Sequence, residues 1–173
     1  IVVASVFTAC ENDMAKIKSI TEKLDSAEIS AKNVEMLYSD SALIRLNVKT
    51  PLLNKFTTVE DPYTEMPNGV EMLFYDKNMN VNSSLKAKYS IYHEKEKIWE
   101  FKNNVELVNQ QGDLLQTEHL FVDREKEVMY SQKYVSITFA DGGNINGEGG
   151  FKSNFNFTEF EFTDVSGLMT LDE

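Results

Sequence analysis

Residues 87–107, AKYSIYHEKEKIWEFKNNVEL, and residues 117–137, TEHLFVDREKEVMYSQKYVSI, repeat one pattern at an offset of 30. Ile91 aligns with Phe121, Ile98 with Val128, Val105 with Val135 and Leu107 with Ile137. Each copy reads as a strand, a charged turn and a returning strand, the turns being His93–Lys97 and Asp123–Glu127. Gly147–Gly167 forms a weaker third copy, in which Phe151 aligns with Phe121 and Val165 with Val135. A fixed period with short turns predicts stacked β units, each burying its face against the next. In the third copy the apolar residues shift from odd positions (Phe155, Phe157) to even ones (Phe160, Phe162), so a bulge or tight turn is expected at Thr158-Glu159.

Upstream of the repeat the same period of two continues. Val34 and Met36 open one segment, Ser39-Asp40-Ser41 is the expected turn, and Ala42, Ile44, Leu46 and Val48 alternate with polar neighbours. Val70, Met72 and Phe74 alternate again before a turn at Asp76-Lys77-Asn78. Pro51, Pro62 and Pro67 are the only prolines, and Thr50–Gly69 is expected to be a long loop. Eleven Phe, seven Tyr and one Trp agree with an all-β chain of 173 residues, long enough for one core. Between Glu11 and Ala27, Met14, Ile17, Ile20 and Leu24 instead recur at helical spacing among charged residues, which predicts a short tether helix.

The chain carries 28 acidic and 17 basic residues, a formal charge of −11. Such a surface repels phosphate backbones and excludes nucleic acid as a partner. It also disfavours docking on anionic headgroups through a basic patch, so a lipid ligand must be held by its acyl chains. The one cysteine, Cys10, forms no intramolecular disulfide. His93 and His119 are the only histidines, and neither sits in a nucleophile motif. The acids of Glu94–Glu96 and Glu125–Glu127 alternate with lysine as solvated turns do. No catalytic residue, metal ligand or cofactor is assigned.

Residues 1–9, IVVASVFTA, are uncharged and end in small residues before Cys10. They resemble the tail of a lipoprotein signal peptide, although Phe7 stands where Leu is usual. The expected organisation is a signal remnant at 1–9, an anchor and helical tether at 10–27 with acylated Cys10, and a β domain at 28–173. Stable anchoring takes two or more acyl chains, which a lipoprotein cysteine carries.

The order of Gly69-Val70, Phe74-Tyr75-Asp76, Ala87–Tyr92, Trp99, Asn104–Leu107, Thr117–Phe121, Tyr134–Ile137 and Gly147–Phe151, at the 30-residue spacing, resembles the LptC family of lipopolysaccharide export proteins. The likeness runs from about Ile29 to Leu171, and acylation would replace the transmembrane helix of the best-known members. The resemblance implies a twisted antiparallel β-jelly-roll, V-shaped in section, with an apolar interior. It implies a periplasmic protein anchored at the inner membrane. Lipopolysaccharide would arrive from the jelly-rolls of an inner-membrane ABC transporter and leave to a soluble bridge protein of similar fold. Carried over, Ala31–Val48 is the transporter edge and Phe151–Leu171 the bridge edge. Gly147 and Gly149 match a glycine motif that supports assembly with the transporter; from the residues alone they mark a close approach of backbones.

The expected groove set is Ile91, Trp99, Phe101, Phe121, Val128, Val135, Ile137, Phe151, Phe155 and Phe157. The competing readings are an assembly lipoprotein that bridges partners by strand-edge pairing, and a sugar-binding or hydrolytic lipoprotein. The last would need aromatics clustered with paired acids, which are not seen.

Overall fold

A computed structural model of the chain describes residues 27–155 and 159–168, with the side chains of 167 and 168 outside that description. Cys10, the tether helix, Phe157 and Thr158 therefore lie outside the described residues. Within them the protein is all-β and jelly-roll-like, with every pairing antiparallel. The strands are β1 (Ile29–Asp40), β2 (Leu43–Phe56), β3 (Tyr63–Met66), β4 (Val70–Tyr75), β5 (Val81–Ala87), β6 (Tyr89–His93) and β7 (Ile98–Val108). They continue as β8 (Leu114–Asp123), β9 (Val128–Ser131), β10 (Val135–Thr138), β11 (Asn144–Gly147), β12 (Phe151–Asn154), β13 (Phe160–Glu161) and β14 (Val165–Leu168).

The pairings reduce this list to a simple pattern. β1, β2, β7 and β8 are long rows, while β3–β4, β5–β6, β9–β10, β11–β12 and β13–β14 are rows broken in the middle. Each row pairs with the next in chain order. All the breaks align, so one continuous sheet folds along a seam into two leaves. The first leaf holds β4, β5, β10, β11 and β14; the second holds β3, β6, β9, β12 and β13; the long rows run through both.

The seam has its own chemistry. On β7 the register jumps between Lys102 and Val105, and Asn103 and Asn104 take φ of 65° and 52°, a conformation asparagine tolerates. On β1, Asn33 does the same at φ 52°, between the pairs Lys32–Leu52 and Val34–Thr50. Opposite it stands Pro51, inside β2. The expected long loop at 50–69 is thus two strands joined by the turn at 57–62. Proline fits within β2 because the ladder is already interrupted where the row bends.

The 30-residue repeat corresponds to two rows. Lys97 and Glu127, 30 residues apart, close equivalent turns at φ 56° and 54°. Val105 and Val135 are both fully buried at the seam of the first leaf, and Ile137 and Leu107 follow them into the core. In the third copy a turn separates β12 from β13, with Asn154 N donating to Glu159 O at 3.2 Å. Turns at the other end repeat too. Asp76, Asn109 and Phe139 each donate their N–H to the carbonyl four residues on and accept from the N–H three residues on. The residue in that third position has positive φ: Met79 at 66°, Gly112 at 90° and Gly142 at 94°.

The core lies between the leaves. Val48, Met72, Leu85 and Leu115 from the first meet Met66, Phe101, Leu120 and Met129 from the second. At the C-terminal rows aromatics fill it, Phe151 packing on Phe162 at 5.2 Å and Phe139 on Phe160 at 6.4 Å. Gly147 belongs here: a Cβ would overlap the Phe162 ring, whereas one on Gly149 would meet only Gln132 O at 3.5 Å.

Two substitutions test these devices. Met79→Gly relieves left-handed strain worth about 1–2 kcal/mol while loosening the unfolded chain by about 0.4–1 kcal/mol, so urea denaturation should show a net gain of about 0.5–1 kcal/mol. Gly147→Ala should cost about 1–3 kcal/mol by overpacking against Phe162, and the loss should shrink in a Phe162→Ala background.

Candidate functional site

Away from the seam the leaves separate and enclose a cavity of about 940 Å³. That is near the top of the range of ligand clefts, about 300–1,000 Å³. Its walls come from both leaves: Met36, Leu46, Met72, Phe74 and Leu85 on one, Leu53, Met66, Tyr92, Trp99, Phe101, Val122 and Met129 on the other. Trp99 stacks on Phe101 at 5.7 Å and meets the tilted Tyr92 ring at 4.8 Å. Four methionines line it; their unbranched thioether chains adapt to ligands of varied shape. Phe155, 41% exposed in the turn after β12, sits at the mouth. Charge is confined to the rim, at Asp40, Arg45, Lys55, Glu94 and Arg124. Such a site suits an apolar ligand, and Thr64, Asn82 and Ser83 add uncharged polar groups to the charged ones in its lining.

The residues singled out from sequence fall into three places. Trp99, Phe101 and Phe155 line the cavity. Val135, Ile137 and Phe151 are fully buried in the core and are not part of its wall. Ile91, Phe121 and Val128 lie on the opposite face of the second leaf, where Phe121 stacks on Tyr130 at 5.0 Å and meets the His119 ring at a tilt, 4.4 Å between centroids. For Phe121 the reason is the bend at Thr117: before it the odd residues Leu115 and Thr117 face inward, after it the even residues Leu120 and Val122 do. Ile91 and Val128 alternate with the inward Ser90, Tyr92 and Met129. The cavity residues Met72, Phe74 and Leu85 carried a readable signal, since their alternation continues across the β4–β5 pair where Met72 faces Leu85.

That outer face also gathers both histidines around one carboxylate. His119 Nε2 lies 2.7 Å from Glu100 Oε1, His93 Nε2 lies 3.5 Å from Oε2, and Lys102 Nζ lies 2.8 Å from Oε1. Lys102 also lies over the Tyr89 ring, 5.7 Å from its centroid. Among the described residues no group of three or more His, Cys, Asp or Glu is placed to hold a metal. Burial pushes the Glu100 carboxyl up, but hydrogen bonds from Lys102 and His119 together outweigh it and hold the group below its usual range. A lowered carboxylate gives stability that is full above the ordinary glutamate value and lost as pH falls through the lowered one. Glu100→Gln should therefore cost about 1–2 kcal/mol at neutral pH. The gap to the native chain in denaturant melts should close as pH falls below 4.5.

No curated protein sequence matches this chain. A family model does: the one described as lipopolysaccharide-assembly, LptC-related, matches residues 22–163, most of the sequence and nearly all of the folded sheet. With the two-leaved sheet and its apolar interior already in view, that match shows that the chain belongs to the LptC family.

Proposed function

We propose that the cavity carries the acyl chains of lipopolysaccharide in transit, taken from an inner-membrane ABC transporter and passed to a soluble periplasmic bridge protein. Family membership implies a part in lipopolysaccharide transport, and the apolar cavity between the leaves is the observation that supports a direct carrying role. Burying about a dozen methylenes there is worth roughly 10 kcal/mol gross, at ~0.8 each. Tail ordering and lost rigid-body freedom offset much of it. The chain's part is to bind and shield, and energy for direction comes from ATP hydrolysis on the transporter.

Strand addition is the mode by which partners would join. Among the described residues β1 pairs only with β2, and Leu37 and Tyr38 on it are half exposed or more. This supports Ala31–Val48 as the transporter edge. At the far end β13 and β14 each pair on one side only among the described residues, which supports Phe151–Leu171 as the bridge edge. An unpaired edge is otherwise an aggregation hazard. Gly147 and its Phe162 neighbour keep that end packed. Acylated Cys10 would tether the domain to the periplasmic face of the inner membrane; among the described residues no helix is long and apolar enough to cross a membrane.

In-cell photocrosslinking tests the reading. A photoreactive residue at Met72, Trp99 or Phe155 should yield lipopolysaccharide adducts that fade when ATP is depleted. Phe121, on the opposite face, should yield none. Absence of adducts at all three cavity positions, with the protein folded, would leave an assembly lipoprotein that bridges partners by its edges.

A further inference from the structure

The chain has two arginines, Arg45 and Arg124, and both line the mouth of the cavity. Arg45 stands on the first leaf beside the Ser41-Ala42 turn, and Arg124 directly follows β8 on the second, so the two flank the opening from opposite sides. Lysine or histidine supplies the cation in each ion pair of the described residues, and neither guanidinium has an acidic or hydrogen-bonded side-chain partner among them. The other rim charges largely cancel. Glu94 is held by Lys55 at 3.3 Å and accepts from Thr64 Oγ1 at 3.2 Å, leaving Asp40 against two free arginines. A local positive balance thus stands at the mouth of a cavity in a chain whose net charge is −11.

The backbone aims one of them there. Leu46 and Val48 face the interior, so strict alternation would send residue 45 to the outside. Tyr38 instead pairs with Leu46 and Ser39 with Ile44, which leaves Arg45 as the extra residue of a β-bulge. A bulge bends the strand and re-aims the side chain. The same device recurs across β4: Phe74 pairs with Ser83 and Tyr75 with Val81, leaving Asn82 over. Both bulges sit at one level, because Leu46 pairs with Phe74. Arg45 and Asn82 consequently line the cavity from either side of β4. Each of these two in-register bulges interrupts a ladder and turns a phosphate-capable donor toward the cavity.

We infer that Arg45 and Arg124, with Asn82, form a headgroup site for the phosphate of an amphiphile whose acyl chains occupy the cavity. The inference rests on the carrier reading of the same cavity. A guanidinium presents a planar fork of donors that matches phosphate oxygens bidentately. The apolar walls take the tail, and the arginines fix which end stays at the mouth.

The test uses the full chain, with Trp99 fluorescence as the reporter, since it is the one tryptophan and lines the cavity. The probes are bisphosphorylated lipid A, the same lipid stripped of phosphate, and inorganic phosphate alone. The native chain should prefer the phosphorylated lipid by about tenfold or more, the size of a charge-assisted contact. Arg45→Gln and Arg124→Gln should each reduce the preference and the double variant abolish it, with affinity for the stripped lipid and the melting temperature unchanged. Equal binding of the two lipids by the native chain, or a preference that survives the double variant, overturns the headgroup site and leaves the carrier reading standing. Loss of the preference in millimolar inorganic phosphate would assign the arginines to a free anion and overturn the lipid headgroup. No response of Trp99 to either lipid overturns the carrier reading and this inference with it.

Discussion

The constraint on which this fold depends is the seam. A sheet that folds back on itself must bend every row at the same level, and each bend takes amide and carbonyl groups off the ladder into a buried place. Unpaired backbone groups there would each cost about 1–3 kcal/mol. Small hydroxyl side chains meet the need. Thr50 Oγ1 lies 2.8 Å from both the Leu52 and Gly69 carbonyls and accepts from Leu52 N. Thr117 Oγ1 lies 2.8 Å from Tyr134 O and accepts from His119 N, and Ser131 Oγ accepts from Lys133 N at 3.0 Å. Each side chain bridges from its own position to the residue two further on, which is the span of the bend. Because these hydroxyls are nearly or wholly buried, no water can replace them. The two leaves, and the space between them, are held in part by these satisfied bends.

What happens in that space differs along the stack. In the C-terminal rows, Phe139, Phe151, Phe160 and Phe162 bring enough volume to close the gap, and Gly147 gives up its own side chain to admit one of them. In the N-terminal rows the facing residues are methionine, leucine and a three-ring cluster centred on Trp99, and the gap stays open at the mouth. Core and cavity are the same surface, distinguished by how far the side chains reach.

This explains what the sequence made legible. Most strands were readable from the period of two, though not β3, and the stacking was readable from the repeat, because charged turns such as Glu94–Lys97 and Arg124–Glu127 punctuate it. Which face points inward was not. Ile91, Phe121 and Val128 are as apolar as Phe101 or Val135. The phase change at Thr117 turns Phe121 outward, while Ile91 and Val128 alternate with the inward Ser90, Tyr92 and Met129 on strands whose apolar residues occupy both faces. A bend shifts phase without leaving a residue type that announces it, since threonine is common in strands. Pro51 misled for a related reason: proline ordinarily ends a strand, but here it marks a place where the row bends and needs no donor. Arg45 and Asn82 were equally hidden, because a bulge is a property of two strands in register and neither strand alone records it.

The division between apolar wall and polar rim also bears on release. A carrier must let its cargo go, and a cavity that engulfed a whole amphiphile would hold it by both the tail and the head. Tail burial grows with each methylene and cannot be switched off without opening the leaves. A head held at the mouth by a few charged contacts can be exchanged onto the next protein's donors while the tail is still covered, so that each step trades one contact for a similar one. The opening lies along the ends of the rows, between leaves that a strand added at either edge would extend. Joined that way, the walls of neighbouring subunits would continue one another, and a tail could advance sideways without crossing water. Under the carrier role proposed above, the edges, the apolar wall and the charged mouth would be three parts of one requirement: moving an amphiphile past a water-filled compartment with no step in which its acyl chains are bare.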